Sequence, residues 1–398
     1  MEHLDVLLTD GEYKNTYGIL RALKEKNLRV GILFNSPFSI CIYSRLVDKR
    51  FFIKSNLLKN SSEEEFSKYA TEVLNILKGN KISVFMPVGN MSFHFASKYK
   101  EELENYTNLV VVDKEYMQIA QNKENTFKFA EEIGVPVPKT YYIDCLEDTQ
   151  GIIEQINYPC VIKKTNFFEG GVIYCNDKDE LVSKLNTIIG AQRSNASRPI
   201  IQEYVEGPGT GFYGIFNEGR CINYFIHERI HEYPVTGGRS SFAKSIYNDK
   251  LKELGIKVLE RLNWHGVAMV EFKKDSANNT YKLMEINPKY WGSLELSYRS
   301  GINFPYLNYL IAMDKPLPEK QQIYKENVYF RWILPDDFLW KLFTSKKEKK
   351  YFNEMKKKIK IFNNIYWDDP LTILFNIFLT IYKVITEKRY PHGKINKH

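Results

Sequence analysis

Two glutamates and one asparagine stand in apolar stretches about two thirds of the way along the chain. Glu285 and Asn287 are two positions apart in LMEIN, so on a strand both side chains point to one face. Glu271 lies in the preceding apolar run, VAMVEF, and a polar connection containing Asn278 and Asn279 predicts a hairpin that brings it alongside. Mg²⁺ takes such oxygen ligands from proteins when phosphate oxygens complete its shell. The alternative is a solvated polar sheet face, although carboxylates among apolar residues need a partner.

A lysine followed by a glycine pair is the second group with chemical potential. Lys163 ends the apolar run PCVIK, and Gly170 and Gly171 close the loop TNFFEGG. Glycine backbone N–H groups can approach phosphate closely, and a neighbouring ammonium adds positive charge. We interpret this stretch as a phosphate contact, with a surface lysine before an ordinary glycine turn as the alternative. The segment IIQEYVEG at 200–207 could present backbone groups to an adenine edge, or be a plain strand end.

Two arginines, Arg229 and Arg239, frame the stretch HEYPVTGG. A guanidinium group can hold a phosphate or a carboxylate through two parallel hydrogen bonds. The pair is therefore a candidate clamp for either anion, or a solvated basic loop. His227 and His231 are four apart with no cysteine or third histidine near them, so no zinc site is predicted.

The elements that must position these groups follow two patterns. Up to about residue 113, β-branched-rich runs at 5–9, 29–35, 82–89 and 109–113 alternate with helix-patterned sequence. This rhythm is typical of a parallel sheet covered by helices. The turn after the first run lacks GxGxxG, so a dinucleotide fingerprint is absent there.

The pattern changes after residue 122. A helix is predicted over 123–133, ending at Gly134, and Pro136 and Pro138 then favour an extended path. A second helix is expected over 178–189. Strands are predicted at 159–164, 172–175, 199–205, 211–217, 221–230, 266–273 and 281–287. This is the sequence of a mixed α+β unit with antiparallel meanders.

The order of these segments resembles the ATP-grasp superfamily. Lys123 before a helix ending in GVPVPK, then PCVIKK, a glycine loop, IIQEYVEG, a glutamate-bearing strand and MEINPKYWGS occur in the family order between about residues 116 and 314. The closing run is similar to ATP-grasp carboligases related to the carbamoyl-phosphate synthase large chain. The resemblance implies a Rossmann-like pre-ATP-grasp domain of the α/β class over 1–113 and an α+β ATP-grasp domain over 114–314. Beyond residue 314 the pattern weakens, and a basic, helical C-terminal extension is expected over 315–398.

The resemblance also implies ligands and a role for each matching residue. ATP and Mg²⁺ would be bound, with Mn²⁺ as an alternative metal. The ATP phosphates would contact Lys123, Lys163, Gly170 and Gly171. The adenine would be bordered by Gln202, Glu203 and Val205, the last two through their backbones. The metal would be held by Glu271, Glu285 and Asn287. The transferred phosphoryl group or acyl phosphate would meet Arg229, Arg239 and Lys289. Relatives often place an acidic ribose ligand near the positions of Gly209, Thr210 and Gly211, and Glu206 is the expected substitute.

The implied reaction joins a carboxylate to an amine, or less commonly to a thiol, through an acyl phosphate and releases ADP and phosphate. One alternative acid is bicarbonate, which would make the chain a carboxyphosphate- or carbamate-forming enzyme. A non-catalytic nucleotide-binding protein is the other alternative. Small-molecule acid and amine partners are expected, whereas their identities and the oligomeric state are not predicted.

The net charge of +8 is concentrated near the C-terminus, where residues 341–360 contain nine lysines and two glutamates. The rest is nearly neutral, so no nucleic-acid groove is predicted. Five cysteines without a CxxC pair fit a reducing cytoplasm, and no export signal is expected at the N-terminus.

The apolar run at 371–385 follows the lysine-rich stretch and is too short for a transmembrane helix. We expect a helix packed on the ATP-grasp domain. The alternative is peripheral contact with an anionic membrane at its inner face.

Overall fold

Three β-sheets carry the fold, and helices lie against them. The computed structural model describes residues 3–58, 60–143, 149–165, 171–190, 198–233, 239–343 and 360–389. Gly170 of the predicted phosphate loop and the lysines between 346 and 358 lie outside the described residues.

The first sheet is parallel, and its strands have the order β3-β2-β1-β4. Its strands are β1 (His3–Leu8), β2 (Val30–Phe34), β3 (Lys49–Phe52) and β4 (Lys81–Met86). The accompanying helices are α1 (Lys14–Lys24), α2 (Glu63–Lys78), α3 (Asn90–Lys98), α4 (Lys100–Glu104) and α5 (Lys114–Gln121). This confirms the predicted Rossmann-like unit.

One local prediction for this unit is wrong, and one strand was not predicted. Residues 109–113 form no strand, although 109–112 are buried; next to them, Asn108 makes an isolated parallel bridge to Val84. β3 was not predicted, because its four residues KRFF are too few to show an alternating pattern.

The second sheet is antiparallel, with the order β5-β8-β6-β7. Its strands are β5 (Thr140–Tyr142), β6 (Cys160–Lys164), β7 (Val172–Cys175) and β8 (Pro199–Glu203). The helices around it are α7 (Thr149–Ile153) and α8 (Lys178–Gly190), whereas the preceding helix α6 (Lys123–Glu132) packs Phe127 and Ala130 into the main core. Ile162, Leu181 and Ile201 belong to a small core of its own. We call this unit the small lobe.

The third sheet has seven strands in the order β13-β12-β9-β10-β11-β14-β15. They are β9 (Gly209–Asn217), β10 (Arg220–Tyr233), β11 (Arg239–Ser245), β12 (Gly266–Lys274), β13 (Tyr281–Asn287), β14 (Tyr329–Arg331) and β15 (Ile361–Asn363). All neighbours are antiparallel except β14 and β15. We call this unit the large lobe.

The remaining helices are α9 (Asp249–Arg261), α10 (Leu294–Ser300), α11 (Phe304–Ala312), α12 (Phe338–Phe343) and α13 (Pro370–Arg389). A short 3₁₀ helix covers Ile40–Tyr43 and a π-helical turn covers Ile333–Asp337. The C-terminal region, expected to be helical, therefore adds β14 and β15 to the large lobe as well as two helices. The domain boundary at residue 314 stays a prediction.

A buried carboxylate fastens the start of α13 to the first sheet's unit. Asp369 is 1% exposed and accepts hydrogen bonds from the Tyr17 hydroxyl at 3.0 Å and the Arg45 backbone N–H at 3.2 Å. The Ser44 hydroxyl donates to the same carboxylate. One side chain therefore satisfies three donors from a distant part of the chain.

We expect Asp369→Ala to lower the free energy of unfolding by about 2–4 kcal/mol, because buried donors lose a charged acceptor. Asp368→Ala is the matched control. Asp368 is 49% exposed and pairs with Arg21, so its loss should cost less than about 1 kcal/mol. Urea unfolding midpoints measure both, and equal shifts for the two variants would contradict the docking role.

Candidate functional site

The three predicted metal ligands share one face of the large lobe. In the pairing of β12 with β13, Glu271 lies directly opposite Glu285 and Met269 opposite Asn287. Opposite residues on antiparallel strands point their side chains to the same side. The Asn287 side-chain amide donates to Glu285 Oε1 at 2.7 Å, which leaves the amide oxygen available as a ligand.

Cations surround this carboxylate pair. Arg229 Nη2 lies 2.7 Å from Glu271 Oε1, and Lys123 Nζ lies 3.8 Å from Glu285 Oε2. Burial raises the pKa of Glu271, Arg229 opposes the rise and Glu285 adds to it. Burial acts in the same direction on Glu285, but Lys123, Asn287, Lys163 and Lys289 outweigh it and lower its pKa.

The donor set fits a divalent cation. Two adjacent carboxylates and an amide oxygen are hard oxygen ligands, and Glu285 already disfavours the charge on Glu271. Among the described residues, no group of three or more His, Cys, Asp or Glu side chains could hold a metal by itself. An ion here would need further oxygens from a ligand, which is the usual situation for Mg²⁺.

The small lobe presents a buried lysine. Lys163 is 5% exposed, and its ammonium donates to Gln202 Oε1 at 2.7 Å. Gln202 is oriented in turn by donating to Thr140 Oγ1 at 2.8 Å. Burial lowers the pKa of Lys163 to about 8, Glu285 opposes this shift and Lys123 reinforces it. Lys163 therefore faces the carboxylate pair across the cleft between the two lobes.

The segment between β8 and β9 connects the lobes. The Glu203 N–H donates to Lys139 O at 3.0 Å, and its carboxylate accepts from the Lys139 N–H at 3.0 Å and pairs with Lys282. The Val205 carbonyl accepts from Lys273 Nζ at 3.0 Å. A backbone contact to a ligand would thus use the carbonyl of Glu203 and the N–H of Val205. Glu206 is exposed, and its carbonyl accepts from the Ser276 N–H.

Two buried hydrogen-bond donors lie at the end of the site where Arg229 meets Glu271. Arg229 Nε and Trp291 Nε1 are buried without a hydrogen-bond partner in the described part of the chain. Both residues adjoin Tyr213, whose ring lies 4.6 Å from that of Trp291 and whose pKa is affected by Arg229. Uncommitted buried donors are costly unless an acceptor joins them, so this end fits an anion.

The remaining predicted residues, Lys289, Arg239 and Gly171, have fewer described contacts with the site. The Lys289 backbone N–H donates to Asn287 O at 2.9 Å, and its charge reaches Glu285. Arg239 begins β11 opposite Tyr233, but its side chain lies outside the description. Gly171 has a φ of +110° and precedes β7, which suits a glycine-dependent turn.

Lys273 and Glu232 lie at the site but were not predicted from the sequence. Lys273 binds the Val205 carbonyl, and Glu232 lies 3.4 Å from Arg229. Lys273 follows Glu271 by two positions on a strand, which was a usable signal for a shared face. Glu232 reaches the cleft through strand irregularities that leave no mark in the sequence.

Two family models match the chain. Residues 120–214 match the RimK-like ATP-grasp domain, and residues 225–333 match the family described as ATP-grasp in the biosynthetic pathway with Ter operon. Together they span both lobes and the candidate site.

Curated relatives and solved structures agree. The carbamoyl phosphate synthase large chain, N-terminal section, of Methanopyrus kandleri is 21% identical over 68% of this chain and 48% of its own length. The D-aspartate ligase of Enterococcus faecium is 22% identical over 76% of this chain and 75% of its own length. The chain spans about half of the first relative and only 25% of the carbamoyl phosphate synthase large chain of Thermoanaerobacter pseudethanolicus.

The fold is that of solved carboligases. Biotin carboxylase from Campylobacter jejuni matches with a TM-score of 0.64 and 16% identity over 82% of this chain and 74% of that one. N5-carboxyaminoimidazole synthetase from Staphylococcus aureus matches with a TM-score of 0.61 and 17% identity over 80% and 79%. The two facing lobes have the ATP-grasp fold, and residues 120–214 and 225–333, which contain the lysines and carboxylates of the cleft, match ATP-grasp family models.

Proposed function

We propose that the chain binds ATP with Mg²⁺ between its two lobes and joins a carboxylic acid to an amine through an acyl phosphate. One observation carries the proposal. Lys163 of the small lobe and Lys123 face the paired carboxylates Glu271 and Glu285 of the large lobe. Cations on one side and metal-binding oxygens on the other are what a metal–triphosphate complex requires.

The nucleotide lies with its base at the segment 202–205 and its phosphates at Lys123, Lys163 and the loop containing Gly170 and Gly171. Glu271, Glu285 and Asn287 would hold Mg²⁺, or Mn²⁺ in its place. The bound ion supplies positive charge against the phosphate oxygens. Gln202 fixes the Lys163 ammonium by its 2.7 Å hydrogen bond, which positions that charge before the nucleotide arrives.

The chemistry then has two displacements. A carboxylate oxygen of the acid attacks the γ-phosphorus, and the bond to the ADP oxygen breaks. The amine nitrogen attacks the acyl carbon, the bond to phosphate breaks, and the amine loses a proton. Arg229, Arg239 and Lys289 stabilise negative charge on the transferred group. Arg229 Nε, which is buried without a hydrogen-bond partner among the described residues, would donate to this group.

The relatives suggest which classes of acid and amine to test as substrates. One relative is a D-aspartate ligase and others are carbamoyl phosphate synthases, and one solved structure of the same fold is a complex with MgADP and bicarbonate. Carboxylates including bicarbonate are therefore the acids to test, and amino acids and simple amines the nucleophiles. A screen for ADP release that requires both an acid and an amine, with product mass as the second readout, tests the proposal. If no acid stimulates ADP release, the proposed ligation is contradicted and the nucleotide-binding alternative remains.

Removal of one metal-binding oxygen should nearly abolish turnover. We expect Glu285→Gln and Asn287→Ala each to slow ATP turnover about 100-fold, because each removes a metal ligand. Both variants should stay folded, since the core residues of the strand are unchanged. Glu253→Gln, on the exposed surface of α9, is the control and should turn over normally. Near-normal rates for Glu285→Gln at low Mg²⁺ would contradict the metal assignment.

Nucleotide binding should take up a proton near pH 8.5. The pKa of Lys163 is about 8 in the free protein, and phosphate beside it raises that pKa, so the lysine becomes protonated on binding. Calorimetry of ADP binding in two buffers of different ionisation enthalpy measures the uptake. Lys163→Ala should abolish the proton uptake and weaken ADP binding at least about ten-fold. Lys164→Ala, the neighbouring control, should do neither, and the reverse pattern would show that the phosphate lysine is misassigned.

We further propose that the protein is cytoplasmic and makes peripheral contact with an anionic membrane. No helix within the described ranges is long and apolar enough to cross a membrane. Helix α13, however, turns Thr372, Asn376 and Thr380 inward and presents an apolar face outward, consisting of Leu371, Leu374, Ile377, Phe378, Ile381, Tyr382 and Ile385. Trp367 beside it is 82% exposed.

Positively charged residues lie on both sides of this apolar face in the sequence. The lysine-rich stretch 341–360 precedes α13, and five Lys or Arg against one Glu fall within 383–398. An apolar helix face flanked by positive charge matches the interface of anionic lipids.

We expect the protein to sediment with phosphatidylserine vesicles at low salt, and less at 1 M salt, where the Debye length is about 3 Å. The triple substitution Leu374→Gln, Ile381→Gln, Ile385→Gln should abolish sedimentation, whereas Ile323→Gln, at a position 95% exposed elsewhere, should not. No sedimentation of the wild type, with light scattering showing a dimer that the triple variant breaks, would assign the face to a second copy instead.

A further inference from the structure

A buried tyrosine lies beside Arg229 at the end of the site where Arg229 meets Glu271. Tyr213, on β9, is 1% exposed and has no part in the proposed reaction. Burial raises its pKa, whereas the charge of Arg229 and hydrogen bonds with Ser293 and Arg229 oppose that rise. The hydroxyl therefore stays protonated, so its oxygen can accept from the guanidinium while its O–H donates to a further acceptor.

Gly211 leaves the space that the Tyr213 hydroxyl occupies. It lies opposite Glu271 on β12 and opposite His227 on β10, so side chains at these positions share one face of the sheet. A Cβ on Gly211 would stand 2.3 Å from the Tyr213 hydroxyl oxygen. The missing side chain thus allows Tyr213 to lean along β9 and place its hydroxyl between Glu271 and His227.

His227 ends a chain of hydrogen bonds that begins at Arg229. Its ring stacks on that of Tyr213 with centroids 4.5 Å apart, and its Nε2 lies 2.6 Å from Ser293 Oγ. Burial, and then the charge of Arg229, lower the pKa of His227 to about 3. The ring is therefore neutral, and its Nε2 can accept from the Ser293 hydroxyl. Arg229 then donates to Tyr213, and Tyr213 donates to Ser293, so each donor of the chain has one acceptor.

Two other partners of Arg229 are carboxylates. Its Nη2 lies 2.7 Å from Glu271 Oε1, and its Nη1 lies 3.4 Å from Glu232 Oε1. A divalent cation at Glu271 would compete with Arg229 for that carboxylate. The Tyr213 hydroxyl is neutral and is not one of the metal-binding oxygens. It can therefore hold the guanidinium in place while Glu271 turns to the cation.

We propose that Tyr213 is a positioning residue, which holds the Arg229 guanidinium so that it faces the transferred phosphoryl group. The inference rests on the proposed function. Arg229 Nε is buried without a hydrogen-bond partner in the part of the chain that the structure describes, and an oxygen of the phosphoryl group would accept from it. A neutral hydroxyl fixes this donor without cancelling its charge, as a further carboxylate would.

Equilibrium dialysis of radiolabelled inorganic phosphate against the protein saturated with MgADP tests this without any acid or amine. Phosphate is a product of the proposed reaction and takes the place of the transferred group. Tyr213→Phe removes only the hydroxyl, and it should weaken phosphate binding about five- to ten-fold while ADP affinity stays within about two-fold. Tyr290→Phe is the matched control, because Tyr290 is also 1% exposed and its hydroxyl contacts Met86 Sδ at 3.5 Å. It should change neither affinity.

A double-mutant cycle separates positioning from a general effect on the fold. In an Arg229→Gln background, Tyr213→Phe should weaken phosphate no further than about two-fold, because the group it positions is gone. Ser293→Ala, which interrupts the chain beyond Tyr213, should weaken phosphate and spare ADP, and it decides the matter where Arg229→Gln does not fold.

Unchanged phosphate binding in Tyr213→Phe would overturn the inference, and so would an equal loss in the wild-type and Arg229→Gln backgrounds. Loss of phosphate and ADP binding together in Tyr213→Phe would overturn it as well, since that is the result of a structural defect. A wild type that binds MgADP but no phosphate would overturn the inference and leave the nucleotide site standing. A wild type that binds no MgADP would overturn the proposed function and this inference with it.

Discussion

The antiparallel pairing of β12 with β13 places Glu271 opposite Glu285, and positively charged residues of the cleft compensate this concentration of negative charge. Two unit charges about 5 Å apart repel by about 3 kcal/mol at an effective dielectric of about 20. Arg229 contacts one carboxylate at 2.7 Å and Lys123 approaches the other at 3.8 Å. The pair is thereby stabilised in the free protein while its remaining oxygens stay available to a cation.

The division into lobes follows from two separate cores. Ile162, Leu181 and Ile201 pack within the small lobe, apart from the main core. Lys163 is held by Gln202 and Thr140 of its own sheet, so it can move with that lobe as a unit. The carboxylates stay with the large lobe, whose sheet β14 and β15 extend. Asp369, which follows β15 in the chain, is hydrogen-bonded to the N-terminal unit through Tyr17. Such an arrangement allows the cleft to close without rebuilding either half of the site.

Much of the site could be predicted because strand alternation and a short hairpin determine which side chains meet. Glu285 and Asn287 share a face by their spacing alone, and the hairpin brings Glu271 opposite. Glu232 could not be predicted, because its direction depends on two register shifts against β11. β14 and β15 escaped prediction for another reason. Three residues each are too few for a pattern, and their pairing is decided by tertiary contacts.

The central claim is that the cleft activates a carboxylate by phosphoryl transfer, and the path of one oxygen atom tests it most directly. With an acid that supports ADP release, labelled with ¹⁸O in its carboxylate, the released phosphate is analysed by mass spectrometry. The account predicts one labelled oxygen in each phosphate formed with the amide product, because the acyl C–O bond breaks when the amine attacks. Label appearing in AMP, or amide formation with unlabelled phosphate, would contradict it.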